Sequence, residues 1–174
     1  MKPWQTMAAV AVLLAGLGTS QAADFRSWAK NMQIQFGGYT ATETLTNFPA
    51  LVVFSNGMAS GFSHADFAGT NADLRFTDST LTNELNYEVE SWDTNGSSVV
   101  WVQVPQLTNG ASIWAFWGQS GQTPPACTTN GATWSNGCKA VWHLGSTNDY
   151  SASGYHGVVS GGVSSAPTNA IIGS

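Results

Sequence analysis

The chain has 174 residues, the length of about one domain, and 43% of them are hydrophobic while only 9% are charged. Five basic and ten acidic residues leave a formal net charge of −5, which excludes a protein that binds nucleic acids by neutralising phosphates. The aromatic content of 11% excludes a disordered chain, because such a sequence can bury a core.

The first 22 residues have the pattern of a secretory signal peptide. Lys2 supplies a positive charge, an apolar run extends from Met7 to Leu17, and Ala22 ends a small-residue cleavage site. A membrane anchor is the alternative, but this run would rise only about 16 Å as a helix, half of a bilayer core. No other segment is long and apolar enough to span a membrane. We therefore expect export to the periplasm, the cell surface or the extracellular space.

Between residues 23 and 118 the hydrophobic pattern has the period of two that is typical of β-strands. Phe25–Lys30 and Phe62–Phe67 are the only weak helical candidates. Asn-Gly pairs, which favour tight hairpin turns, begin at residues 56, 95, 109, 130 and 136. The pattern predicts an all-β fold, an antiparallel β-sandwich. Its strands are expected at Met32–Phe36, Leu51–Phe54, Asp73–Thr77, Leu85–Trp92, Val100–Val104 and Ile113–Trp117.

Residues 85–104 form the clearest hairpin in the sequence, with Asn95-Gly96 at its turn. Strict alternation would place Trp92 on the same face as Glu88 and Glu90. Pro105 has no backbone N–H for a ladder, so it is expected to end the second strand.

Residues 119–139 are rich in turn-forming residues and are expected to be a loop or linker. Cys127 and Cys138 lie in this stretch. In an oxidising compartment their proximity predicts one local disulfide. A redox or metal pair is the alternative, but the gap is too long for a redox motif and no histidine cluster accompanies the cysteines. His64, His143 and His156 have no metal-ligand spacing and are expected to be structural.

Five sequence blocks follow one another in order: Asn47–Val52, Asp73–Asp78, Tyr87–Asp93, Val100–Pro105 and Ile113–Gly118. Together they resemble the family known as domain of unknown function 2341, over roughly residues 25–118. That family occurs in exported bacterial proteins and in periplasmic extensions of proton-channel proteins similar to biopolymer transporters. No activity is established for it, so the resemblance implies a location and no chemistry.

After the linker come Ala140–Leu144, expected to be a strand, and the polar stretch Asp149–Gly157. These blocks make residues 140–174 similar to the opening of a concanavalin-A-like, laminin-G-type jelly roll, and Ala170–Ser174 resembles the beginning of its next strand. Only 34 residues remain from Val141, so we expect a truncated jelly roll. A short complete protein whose tail covers the first domain is the alternative. No cofactor is expected, although the polar stretch leaves calcium open.

Glu88 and Glu90 are the only paired carboxylates on one predicted strand face. Residues two apart on a strand are separated by about 6.6 Å, within the range that glycosidases use for two acids. Their spacing to Asp93 departs from that of sandwich-fold glycosidases, Glu-x-Asp-x-x-Glu. We therefore expect a structural or ligand-contacting role, with a glycoside hydrolase as the less favoured hypothesis.

Tryptophans offer a binding hypothesis. Trp92 and Trp101 could form a flat platform with polar neighbours, on which sugar rings stack. The alternative is that another layer covers this face. The candidate ligand-binding set is Trp92, Trp101, Gln103, Glu88, Glu90 and Arg75.

The sequence thus favours an exported, non-enzymatic binding or surface-presentation module, and carbohydrate is the ligand that we favour. A structural or protein-interaction module in a bacterial envelope assembly is the second hypothesis.

Overall fold

The computed structural model describes residues 24–58, 61–143 and 145–161, which build two three-stranded antiparallel sheets. The predicted signal peptide, residues 1–22, and the predicted strand start at Ala170–Ser174 lie outside the described residues. Within the described ranges, no helix has the length and apolar character needed to cross a membrane.

The described residues form six strands, and the predicted antiparallel β-sandwich is confirmed. One sheet has the order β1-β6-β3 and the other the order β2-β5-β4. The weak helical stretches contain only short 3₁₀ turns, Phe25–Ser27 and His64–Asp66, and two more turns lie at Ala126–Thr128 and Ala132–Trp134. The strands are β1 Lys30–Gln35, β2 Leu45–Ser55, β3 Arg75–Asp78, β4 Tyr87–Ser91, β5 Ser97–Leu107 and β6 Ser112–Trp117.

The core lies between the two sheets and follows the predicted alternation. On β5, Val100, Val102 and Val104 are fully buried in it, while Trp101 and Gln103 point to the opposite face. Phe54 of β2 lies beside them on the same sheet, and the other sheet contributes Phe76 of β3 and Ile113 and Ala115 of β6. The sheet that contains β5 is therefore apolar on its inner face and carries Trp101 and Gln103 on its outer face.

A β-bulge in β4 changes the direction of the chain after Val89. Glu88 pairs with Trp101 and Val89 with Val100, but the next partner of Val99 is Ser91. The extra residue reverses the alternation. Trp92 consequently packs against the core cluster, so its predicted position beside Glu88 is wrong.

Pro105 does not end β5, which continues to Leu107. In the partner strand the register runs from Thr46 opposite Gln106 to Phe48 opposite Val104. Asn47, between them, has a positive φ of 49°, a conformation that asparagine tolerates better than most residues. This irregularity faces the residue that lacks an N–H, so the strand pair passes the proline instead of stopping there.

The predicted strand Ala140–Leu144 is not formed. Val141 to His143 belong to no strand, and Leu144 lies outside the described residues. The Val141 N–H donates to Asp149 Oδ1 at 2.8 Å, and its carbonyl accepts from the Tyr150 N–H at 2.8 Å. A side chain and a loop thus take the hydrogen bonds that a neighbouring strand would supply, and a jelly-roll continuation is not confirmed.

Candidate functional site

The outer face of the β2-β5-β4 sheet brings together four of the six predicted site residues. β4 supplies Glu88 and Glu90, and β5 supplies Trp101 and Gln103. The register places Glu88 directly opposite Trp101. The predicted grouping of acids and amide around one indole is therefore present on this face.

Residues after position 130 cover this face. The turn Ala132–Trp134 places the Trp134 ring 5.3 Å from that of Trp101, and the His143 ring is 6.4 Å from Trp101 and nearly parallel to it. Glu88 is only 3% exposed. The part of this face formed by β4 and β5 is thus covered, and the stretch predicted as a linker packs on it, whereas Leu51 and Val53 of β2 are exposed on the same face.

Both glutamates are hydrogen-bond acceptors for this cover. Glu88 accepts from the Trp134 indole at 2.8 Å and contacts His143 Nε2 at 2.7 Å. Glu90 accepts from the Trp101 indole at 2.6 Å and lies 3.2 Å from His143 Nδ1. We call Glu88, Glu90, Trp134 and His143 the carboxylate clamp.

His143 lies between the two acids of the carboxylate clamp. Its Nε2 faces Glu88 Oε1 at 2.7 Å, and its Nδ1 faces Glu90 Oε2 at 3.2 Å. The side chains of all three residues are buried. Each buried carboxylate therefore has an imidazole nitrogen beside it, which reduces the cost of its burial.

Gln103 adds neutral hydrogen bonds to the same cover. Its Nε2 donates to the Thr133 carbonyl at 3.2 Å and to Ser135 Oγ at 2.8 Å, and its Oε1 accepts from Asn86 Nδ2 at 3.1 Å. The amide therefore fixes the turn Ala132–Trp134 against β5.

Trp92 lies apart from these residues. Its ring packs edge-on against His64 and Phe67, with centroid separations of 5.1 and 4.9 Å. His64 Nδ1 donates to Asn56 Oδ1 at 2.9 Å, which leaves Nε2 to accept from the Ser98 hydroxyl at 2.9 Å. Burial lowers the pKa of His64, with a smaller opposing effect from Asp93. The predicted single platform is therefore divided between two places.

Arg75 is also remote from the carboxylate clamp and is buried on β3. Its guanidinium donates to the carbonyls of Leu74 at 2.6 Å and Thr123 at 2.7 Å, and its Nε lies 3.3 Å from Glu84 Oε1. Burial raises the pKa of Glu84, and the charge of Arg75 partly offsets this. These contacts tie the chain after β6 to β3, which is a structural role.

The expected disulfide is not formed, since both cysteines are free thiols. Cys127 packs against the core cluster, and burial raises the pKa of its thiol. Cys138 Sγ donates to Asn136 Oδ1 at 3.2 Å. The stretch between the cysteines contains the turn Ala132–Trp134, which is fixed by the outer face instead of by a covalent bond.

Asp149 lies in the polar stretch for which calcium binding was an open alternative, and its carboxylate accepts hydrogen bonds from the protein itself. Its two oxygens accept from the backbone N–H groups of Val141, Ser151 and Tyr155 and from the Ser151 hydroxyl. Burial acts to raise the pKa of this carboxyl, but the four hydrogen bonds outweigh it and lower the pKa to about 2. No group of three or more potential metal-ligating side chains lies close together among the described residues.

Sequence reasoning missed Trp134 as a partner of the acids. Two buried carboxylates need N–H donors, and β4 and β5 supply only the Trp101 indole. An isolated tryptophan in a stretch otherwise typical of a linker was the available signal. His143 was expected to be a hydrogen-bonded structural histidine, and its contact with Glu88 confirms this.

Comparison with known families identifies part of the chain. Residues 70–133 match the family described as a domain of unknown function, DUF2341. This confirms the predicted resemblance, although the match begins later than residue 25 and extends past residue 118. Neither a curated protein nor a solved structure matches this chain. All six predicted site residues lie within the match, whereas Trp134 and His143 lie beyond its end.

Proposed function

With residues 70–133 identified as a match to DUF2341, we propose that this β-sandwich is a non-catalytic presentation module of an exported protein. It holds the segment C-terminal to it in one fixed position on the outer face of its sheet. The observation that carries this proposal is the carboxylate clamp, in which two residues beyond β6 contact two acids of β4.

Hydrogen bonding makes the attachment directional. Apolar burial alone tolerates shifts between packed surfaces, whereas the contacts of Trp134 and His143 with Glu88 require a single register. Removing one partner would leave a buried charge or donor unpaired, which raises the free energy of any displaced arrangement. Such a surface suits a module that orients a neighbouring segment.

A glycosidase role receives less support from the same contacts. Catalytic acids of that class must reach a sugar between them, together with water. Here the ring of His143 contacts both Glu88 and Glu90, and both carboxylates accept indole N–H groups. The acids are thus engaged in holding the cover.

The proposed cellular role rests on the sequence. The signal-peptide pattern of residues 1–22 supports placement in the periplasm, at the cell surface or outside the cell. The net charge of −5 gives no reason to expect nucleic acid as a partner. Within an envelope assembly, the module would space and orient its C-terminal neighbour, and a protein of that assembly would be its partner. Carbohydrate binding stays a separate prediction, and it does not rest on a joint Trp92–Trp101 platform, because Trp92 packs against the core cluster.

Hydrogen exchange on the full chain tests the proposal. In the double variant Glu88→Gln/Glu90→Gln, the amides of residues 132–143 should exchange at least about tenfold faster, because the cover loses its charged acceptors. The amides of β5 and β6 should keep their protection, since the apolar core is unchanged.

The matched control is Glu43→Gln, which removes an exposed carboxylate. It should leave exchange across residues 132–143 unchanged. Equal exchange rates in the double variant and the control would refute the proposal, because the segment would then be held by something other than the carboxylate clamp.

A further inference from the structure

A polar cleft of about 500 Å³ lies beyond the carboxylate clamp, between two stretches of chain. One wall is the turn at Thr129 and Asn130, and the other is the loop from Asn148 to His156. The walls meet at Gly131, whose φ is +77° and where an added Cβ would stand 2.7 Å from the Ser151 carbonyl carbon. The absence of a side chain there lets the two walls touch.

The loop wall is held together by its own hydrogen bonds. The Asp149 carboxylate accepts four hydrogen bonds, and the Gly157 N–H donates to the Thr147 carbonyl at 2.7 Å, which closes the loop at its base. A preformed loop costs little ordering entropy on binding. The cleft is therefore organised to present its side chains.

Neutral hydrogen-bonding groups dominate the lining. His156 Nδ1 accepts from the Asp149 N–H at 3.1 Å, so the ring proton is on Nε2. Across the ranges that the structure describes, neither this Nε2 nor the side-chain amide of Asn148 has a hydrogen-bond partner within the protein. Tyr150 packs its ring against that of His143, with centroids 4.5 Å apart, and the residue is still 37% exposed. The cleft thus offers amide, imidazole, hydroxyl and phenol groups beside one aromatic surface.

The charge of the lining disfavours both metal cations and anions as ligands of the cleft. Asp149 is the only carboxylate in it, and both of its oxygens already accept two hydrogen bonds each. A metal cation would have to displace those donors, and an anion would meet the negative charge. A neutral polyhydroxylated molecule fits both conditions.

We propose that this cleft binds a neutral oligosaccharide, with Asn148 and His156 Nε2 donating to sugar hydroxyls and Tyr150 contacting a sugar ring. The site shares no residue with the carboxylate clamp, and it goes beyond the presentation role. A module holding this segment in place would then display a saccharide-binding loop.

The test is an NMR titration of the ¹⁵N-labelled full chain. The probes are cellohexaose, maltohexaose, xylohexaose and chitohexaose, with hexagalacturonate as a charged comparison. At least one neutral probe should shift amides within residues 129–131 and 148–156, and hexagalacturonate should shift none. Asn148→Ala should weaken binding of that probe about tenfold, the effect of one lost hydrogen bond.

The matched control is Asn109→Ala, which removes an exposed asparagine in the turn between β5 and β6. It should bind as the unmodified chain does. The proposal is overturned if no neutral probe shifts the cleft amides, if hexagalacturonate binds more tightly, or if Asn148→Ala binds like the control.

Discussion

The inner face of the β2-β5-β4 sheet and the β4–β5 part of its outer face are covered by different kinds of interaction. The inner face packs Val100, Val102 and Val104 against apolar side chains, whose contribution scales with buried area and has no direction. The outer face carries Trp101 and Gln103 beneath a segment held by hydrogen bonds from Gln103 and to Glu88. The comparison teaches that one face supplies stability to the fold, whereas the other specifies where a neighbouring segment lies.

The largest effect should come from truncation on the inner face. Phe54 on β2 is completely buried, so Phe54→Ala should lower the free energy of unfolding by about 3–5 kcal/mol through lost burial and the cavity left behind. Phe48→Ala on the same strand is the matched control, because that ring is 38% exposed, and it should cost less than about 1 kcal/mol. Urea unfolding measures both, and equal losses would contradict the placement of the core.

On the outer face, a substitution that keeps the size of the side chain should still lower stability, because hydrogen bonds depend on the chemistry and direction of their partners. Glu88→Gln keeps the shape of the side chain but removes the charge that His143 and Trp134 contact, and should cost about 2 kcal/mol in urea unfolding. Glu43→Gln should change stability by less than about 0.5 kcal/mol.

A double-mutant cycle sharpens this result. If Glu88 stabilises the fold through His143, then Glu88→Gln should cost much less in a His143→Leu background, with a coupling energy of about 1 kcal/mol or more. Additive losses would show that the two side chains do not act together.

The third test concerns the contact between the cover and the polar cleft. Gly131→Ala and Gly137→Ala both place a side chain at a positive φ, at a cost of about 1–2 kcal/mol each. Only Gly131 also approaches another segment, since an added Cβ at Gly137 meets nothing within 4 Å. Gly131→Ala should therefore cost about 1 kcal/mol more and speed hydrogen exchange in residues 147–157. Equal losses of unfolding free energy and equal exchange rates in the two variants would contradict the contact between Gly131 and the loop.

Sequence alternation predicted the inner face well, because burial on one side of a strand imposes a period of two on residues such as Val100, Val102 and Val104. It failed for Trp92, because the bulge after Val89 depends on packing and leaves no local signal. It failed for Pro105 because the compensating irregularity, Asn47, lies on a different strand.

For the outer face, the sequence predicted the residues on the strands but not the residues that cover them. Glu88, Glu90, Trp101 and Gln103 follow from strand geometry, but the partners of Glu88 come from 46 and 55 residues further along the chain. The periodicity of a single strand does not indicate which residues at that sequence separation will contact it. Residues 119–139 were interpreted as a linker because turn-forming composition is shared by linkers and by turns that pack on a sheet.

The smallest effect is a pH dependence at the end of the inner face, where His64 packs beside Trp92. Burial lowers the pKa of His64 below its usual 6.5, and Asp93 opposes this only in part. The unfolded chain therefore binds a proton at a higher pH than the folded chain does. The stability contributed by the neutral ring should be complete above pH 6.5 and should decrease as the pH falls below that value.

Urea unfolding at about pH 7.5 and about pH 5.5 measures this difference, and His64→Gln isolates it from other titrating groups. The variant should be less stable than the unmodified chain at the higher pH, because it disturbs the contacts with Asn56 and Ser98. The difference between the two proteins should narrow at the lower pH, since only the unmodified chain loses the contribution of a neutral imidazole. A constant difference would mean that His64 binds its proton equally in both states, and the hydrogen bond from Ser98 would then have to be reassigned.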